Sequence, residues 1–253
     1  MWPKKYSLFD INISATSYQE ALDCIISAAQ KRTSALVDHM PVHGLITAVS
    51  DPEFRNTISN FEIVAPDGQP VRWALNSLHK CSLKDRVYGP TLMLILCEKA
   101  AECGVGIYLY GSTQEVIAEL QKNLLAKFPN LIISGTESPP FRQLTEEEDA
   151  EMVKRINYSS AGLVFIGLGC PKQEIFAFKH KEKIKAVQLC VGAAFDFHAG
   201  TLRQAPKWIQ NAGFEWLFRL VAEPKRLWKR YFTTNIYFLY LFVKHKFFLN
   251  FLK

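Results

Sequence analysis

The chain has 253 residues, 49% apolar and 21% charged, a balance that suits a folded globular protein and excludes long disordered tracts. At roughly 100–200 residues per domain, this length holds one large domain or one domain with an appendage, not a multi-domain machine. The net charge of +6 is uneven: residues 203–253 carry ten Lys/Arg against two Glu, leaving residues 1–202 slightly acidic, with twenty Lys/Arg against twenty-two acids. That tail also holds 14 of the 32 aromatics, so a boundary is expected near residue 202, between a core (1–202) and a basic, aromatic appendage (203–253).

Six cysteines are scattered with no C-x-x-C pair or zinc-like spacing, and Met1-Trp2-Pro3-Lys4-Lys5 opens no apolar signal core. Free buried thiols in a reducing cytoplasm are expected.

In chain order, Ser17-x-x-Glu20 reads as a capping box before the apolar run Ala21–Ala29, and Asp51-Pro52-Glu53 sets a cap residue before a first-turn proline. Short β-branched runs predict strands at Leu36–Val37, Phe61–Ala65, Gly106–Tyr110, Leu131–Ser134, Leu163–Gly167 and Val187–Val191. Between them, helical patterns are expected at 42–49, 70–79, 90–103, 113–127, 146–158 and 172–183, with Thr145-x-x-Glu148 capping the one at 146–158. Alternating strands and helices predict an α/β, Rossmann-like fold: a mostly parallel sheet with helices on both faces, followed by the helical appendage.

In such sheets ligands gather outside the carboxyl ends of the strands. Pro66-Asp67-Gly68-Gln69-Pro70 is a rigid turn at such an end; Asp67 is either a turn aspartate bonding its own backbone or a carboxylate held for general-base work. At Tyr110-Gly111-Ser112-x-x-Glu115, Ser112 is expected to cap the next helix, whose N-terminus would also suit an anion. Gly167-Leu168-Gly169-Cys170-Pro171-Lys172-Gln173-Glu174 lacks the third glycine and the later acidic residue of a dinucleotide fingerprint, so no nicotinamide cofactor is expected. Small residues surround Asp196 in Gly192–Gly200, as a close ligand approach or a tight turn would require. His39 and His43 flank Pro41, which opposes the helix that would align them, and no Asp-x-Asp pair is present, so no metal is expected.

In the tail, Arg219, Arg226 and Arg230 recur at helical spacing beside Trp216 and Trp228, in two short helices broken at Pro224. Arginine is the side chain best shaped for a diphosphate. The uninterrupted apolar run Ile236–Val243 is far below the roughly 18–20 residues that span a bilayer. With Lys244, Lys246 and Lys253 it reads as an interfacial segment on an anionic membrane, or as a surface packed on the domain or a neighbouring subunit. No nucleic-acid motif is present, and no nucleic-acid partner is expected.

Asp51–Arg55, Pro66–Gly68, Arg86-Val87-Tyr88-Gly89-Pro90, Gly167–Glu174, Val191–Gly200 and Glu215-Trp216-Leu217-Phe218-Arg219, taken in that order, resemble the WecG/TagA/CpsF glycosyltransferases over about residues 36 to 232. The resemblance implies inverting transfer of an N-acetylmannosamine-type or related sugar from a UDP-sugar donor to a polyprenyl-diphosphate-linked acceptor. That reaction would run without a metal ion or other cofactor, at the inner face of the cell membrane, in teichoic-acid, common-antigen or capsule synthesis. It implies Asp67 as the base, Gln173 on the donor, and Arg86 and the Gly111 loop on sugar or phosphate. Arg219, Arg226 and Arg230 would close over the site, and homo-oligomers are a further expectation. Where many relatives carry a Thr/Asn-containing segment, this chain has His39-Met40-Pro41, which makes His39 a replacement contact or a competing base. A non-catalytic nucleotide-sugar or anionic-lipid binding protein is the alternative.

Overall fold

A computed structural model describes residues 1–251, with side chains through Phe247; Lys253, assigned above to the basic tail, lies outside the described residues. Six strands form one parallel sheet in the order β4-β3-β8-β7-β5-β6. They are β3 (Ala35–Met40), β4 (Ile63–Pro66), β5 (Ile107–Gly111), β6 (Ile133–Glu137), β7 (Leu163–Gly167) and β8 (Val187–Cys190). The expected α/β architecture is the one present, and each predicted strand falls on an observed one with small changes of boundary. β3 is the exception in length: all six of its residues are buried, whereas sequence suggested only Leu36–Val37. Asp38 and His39 interrupt its apolar run, and their burial depends on partners remote in the chain.

The helices that cross between strands are α1 (Tyr18–Gln30), α2 (Val42–Ser50), α3 (Pro52–Ser59), α4 (Gln69–His79), α5 (Gly89–Cys103), α6 (Gln114–Lys127), α7 (Glu146–Tyr158) and α8 (Lys172–Lys179). α8 stops four residues short of the expected 183. Local caps explain several starts. Asp51 Oδ1 accepts from Glu53 N and Phe54 N at 2.9 and 3.1 Å, and Thr145 and Glu148 complete a reciprocal box. At Ser17 only half the expected box forms: its Oγ accepts from Glu20 N, while the Glu20 carboxylate takes the Thr16 hydroxyl at 3.0 Å. The α6 cap is Thr113, not Ser112, because Ser112 lies in the left-handed region with φ 57°.

Alternation along the strands divides the core into two apolar layers. Val37, Leu109, Phe165 and Leu189 face α1, α5 and α6; Leu36, Met40, Tyr110 and Ile166 face α2, α4, α7 and α8. The second layer is closed by a hairpin that the sequence did not announce, β1 (Lys5–Leu8) and β2 (Ile11–Ser14). Each strand has only four residues, and the turn uses Phe9 and Asp10 at positive φ instead of a glycine pair.

The tail forms α10 (Lys207–Asn211), α11 (Glu215–Ala222) and α12 (Pro224–Phe251), after a short α9 (Ala194–Ala199) that sequence read as loop. The break at Pro224 is where it was expected, but the second helix is not short: α12 runs 28 residues. One side, with Leu227, Thr234, Phe238 and Leu241, is buried, and Phe238 packs on Phe9 with ring centroids 5.6 Å apart. The other side exposes Trp228, Phe232, Ile236, Leu239, Tyr240 and Val243. Among the described residues, no helix is long and apolar enough to cross a membrane.

Candidate active site

The carboxyl ends of β3, β4, β7 and β8 open into a cleft of about 740 Å³, roofed by α11 and α12. Asp67 stands in its wall. The turn is fixed on both sides, by Asp67 N–H donating to the Met40 carbonyl (3.2 Å) and Val87 N–H donating to the Pro66 carbonyl (3.0 Å). Its carboxylate does not fold back on its own turn: Oδ1 accepts from Gly89 N, the first residue of α5, at 2.9 Å. Burial pushes the Asp67 carboxyl up to about 6, and the charge of Glu215 adds to the rise. Arg86, the Gly89 N–H and Arg219 pull the other way. A carboxyl poised there, still ionised at neutral pH, can take a proton.

Arg86 lines the same cleft, but its guanidinium is already occupied. It donates to the Asp67 carbonyl (3.1 Å), Gln210 Oε1 (3.0 Å) and Glu215 Oε2 (2.7 Å). It also stacks 4.1 Å over the Tyr88 ring, whose hydroxyl donates to Glu215 Oε1 at 2.7 Å. Arg86 therefore ties the Asp67 turn to α10 and α11. Glu215, Gln210 and Tyr88 in this clamp were not singled out as site residues from sequence, although Tyr88 and Glu215 lie in the Arg86–Pro90 and Glu215–Arg219 motifs; Gln210 carried no signal.

His39 and its neighbour Asp38 take opposite faces of β3. His39 Nδ1 donates to the Cys190 carbonyl at 3.1 Å, which leaves buried Nε2 as an acceptor without a partner. Burial lowers its pKa to about 4, so the ring is neutral at physiological pH. Gly89 packs closely beside it: a Cβ there would lie 3.1 Å from the ring, which would have to give by a few tenths of an ångström. His43, also on the cleft, is lowered to about 4 by burial and the Arg230 charge.

From the β7 loop, Gln173 lines the cleft with its amide held in place: Oε1 accepts from Gly169 N (3.1 Å) and Nε2 donates to Glu174 Oε1 (2.9 Å). Beneath it, Asp38, Glu174 and Cys190 bring one side-chain atom each within 4.8 Å of one another. Asp38 and Glu174, absent from the sequence-based candidates, are both raised by burial, Asp38 well above the usual carboxylate range. Two buried carboxyls so placed suit one shared proton.

Three arginines come from α11 and α12. Arg219 lies 5.8 Å from the Phe197 ring with a buried, unpartnered Nε, Arg230 acts on His43, and Arg226 pairs with Glu223 at 2.5 Å. All three line the cleft. Two expected residues do not. Gly111 packs against the backbone of Gly167, where a Cβ would meet the carbonyl carbon at 2.7 Å; its glycine serves strand packing, with φ 126°. Asp196 lies on α9 outside the lining, its carboxyl raised by burial and its Oδ1 3.5 Å from the Thr201 hydroxyl.

A cleft at the strand ends of an open parallel sheet, with a poised carboxyl below and guanidinium groups above, defines a ligand-binding α/β protein of the Rossmann-like class. The model of the glycosyl transferase WecG/TagA/CpsF family matches residues 6–251, and the chain belongs to that family. It is a glycosyltransferase of cell-surface polysaccharide synthesis, working between a sugar donor and an acceptor.

Proposed function

We propose that the protein is an inverting glycosyltransferase that moves an N-acetylmannosamine-type or related sugar from a UDP-sugar to a polyprenyl-diphosphate-linked acceptor. In this reading the acceptor hydroxyl oxygen bonds to the anomeric carbon from the face opposite the nucleotide. The bond from that carbon to the diphosphate breaks, UDP leaves with the electron pair, and the hydroxyl proton passes to Asp67. The observation that carries the reading is the Asp67 carboxyl, raised to about 6 and fixed by Gly89 N–H, in one cleft with Arg219, Arg226 and Arg230.

Those arginines would meet the charge developing on the departing diphosphate, the part a divalent cation plays elsewhere. His39 Nε2, an obligate acceptor while the ring is neutral, would take a hydroxyl or N–H of the substrate. Residues 1–202 would form the catalytic core and 203–253 the membrane-facing appendage. The exposed apolar side of α12, flanked by Lys225, Lys229, Lys244 and Lys246, supports peripheral binding at the anionic inner face, where a lipid-linked acceptor resides.

The test is acceptor-dependent release of UDP. Asp67→Asn keeps the turn and the Gly89 contact but removes the base, and turnover should fall by roughly 10²–10⁴-fold. Unchanged turnover would remove Asp67 from that role; nucleotide-sugar binding without any turnover in the wild type would favour a binding protein instead.

A further inference from the structure

Two buried acids remain that the transfer step does not use, Asp38 and Glu174, 1% and 2% exposed. Strand alternation sends Asp38 to the α8 side of the sheet, against the first turn of α8, where Glu174 lies. With Cys190 Sγ, their oxygens form the cluster within 4.8 Å. The Asp38 carboxyl and the Cys170 thiol both feel the Glu174 charge, which adds to burial in raising each of them. Glu174 Oε1 also takes the Gln173 Nε2 donor. Glu174 Oε1 is thus an acceptor for Gln173, while Asp38 Oδ1 and Glu174 Oε2 are buried without another partner, as one proton held between the two carboxyls would satisfy.

Gln173 is consequently pinned at both ends, its carbonyl by Gly169 N–H and its amine by Glu174. One N–H of the amide is left, beside Gly192, where φ is 51° and a Cβ would come within 3.4 Å of Gln173 Oε1. We propose that Asp38 and Glu174 are positioning residues: Asp38 supplies the proton that keeps Glu174 an acceptor, and Glu174 fixes Gln173 so that it shows the cleft one N–H donor. The substrate group that meets Gln173 is then an acceptor oxygen of the donor sugar nucleotide, a carbonyl, hydroxyl or phosphate oxygen. This specificity rests on the nucleotide-sugar reading of the cleft. Without the Asp38 donor, Glu174 would take up a proton itself, become a donor, and turn the Gln173 amide over to present its carbonyl.

The experiment compares Asp38→Leu, Asp38→Asn and Glu174→Gln with the wild type. It uses donor KM and kcat, UDP binding by calorimetry, and the side-chain ¹⁵NH₂ resonances of Gln173 without ligand. Asp38→Leu and Glu174→Gln should shift those resonances and raise donor KM roughly tenfold or more, with a smaller change in kcat. Asp38→Asn, whose amide still donates to Glu174, should stay within about threefold of wild type. The proposal is overturned if Glu174→Gln only lowers the melting temperature and leaves KM and the Gln173 resonances alone, or if Asp38→Asn behaves like Asp38→Leu. Should the wild type turn over no UDP-sugar, the transferase reading fails, while the ligand-free resonances of the three variants still decide the positioning.

Discussion

Asp67→Asn should make the protein more stable while removing its activity, and the gain can be worked from the environment of the carboxyl. Unfolded, Asp67 ionises near its ordinary 3.8; folded, burial delays ionisation to about 6. Between those values the folded state binds more protons than the unfolded one, so stability falls as pH rises through the window. A displacement of about two pH units, at about 1.4 kcal/mol per unit, is on the order of 2–3 kcal/mol of native-state cost at pH 7–8. Asparagine retains an acceptor for Gly89 N–H and carries no charge to desolvate. Melting measured from pH 4 to 8 should therefore show Asp67→Asn close to wild type at pH 4 and higher by roughly 5–10 °C at pH 7.5, given about 2–4 °C per kcal/mol for a chain this long. Parallel melting curves across that range would refute the claim that the fold holds this carboxylate against its preference, and with it the electrostatic case for a poised base.

Glu215→Gln removes a negative charge that helps hold Asp67 high, so the acid limb of the pH–rate profile should move to lower pH, whereas Arg86→Gln should move it to higher pH. Movement of both limbs in the same direction would show that the clamp does not set the base. The Arg86–Glu215 side chains are only 8% and 14% exposed, so Glu215→Gln should also destabilise by about 3 kcal/mol, read in chemical denaturation. Replacing Trp228 and Phe232 together by Glu, on the exposed side of α12, should weaken flotation with anionic vesicles at least tenfold and leave the circular dichroism spectrum unchanged; undiminished flotation would remove that side from the membrane contact.

Much of the molecule was legible one segment at a time. Strand and helix patterns from Tyr18 to Cys190 depend on local periodicity and caps, and the structure follows them closely. The hairpin at Phe9 escaped notice because four-residue strands carry little period, and they are covered by β4, α3 and α4, with the turn residue Phe9 on Phe238, over two hundred residues away. Likewise β3 looked short because Asp38 and His39 are polar; only Glu174 on one face, and Gly89 with the Cys190 carbonyl on the other, make their burial tolerable. Gly111 shows the opposite error: a glycine after a strand suggested an anion loop, yet its backbone neighbour Gly167 accounts for it.

Composition and order of motifs alone determined that this chain is an α/β protein with a basic aromatic tail, and marked Asp67, Gln173 and the arginines, because those signals are local in the chain. The folded arrangement decided which of them meet: it engaged Arg86 with Glu215, left His39 Nε2 as a buried acceptor, set Asp38 on Glu174, and kept Gly111 and Asp196 outside the cleft. Desolvation and partner geometry are properties of three-dimensional neighbours, and spacing along a chain does not encode them.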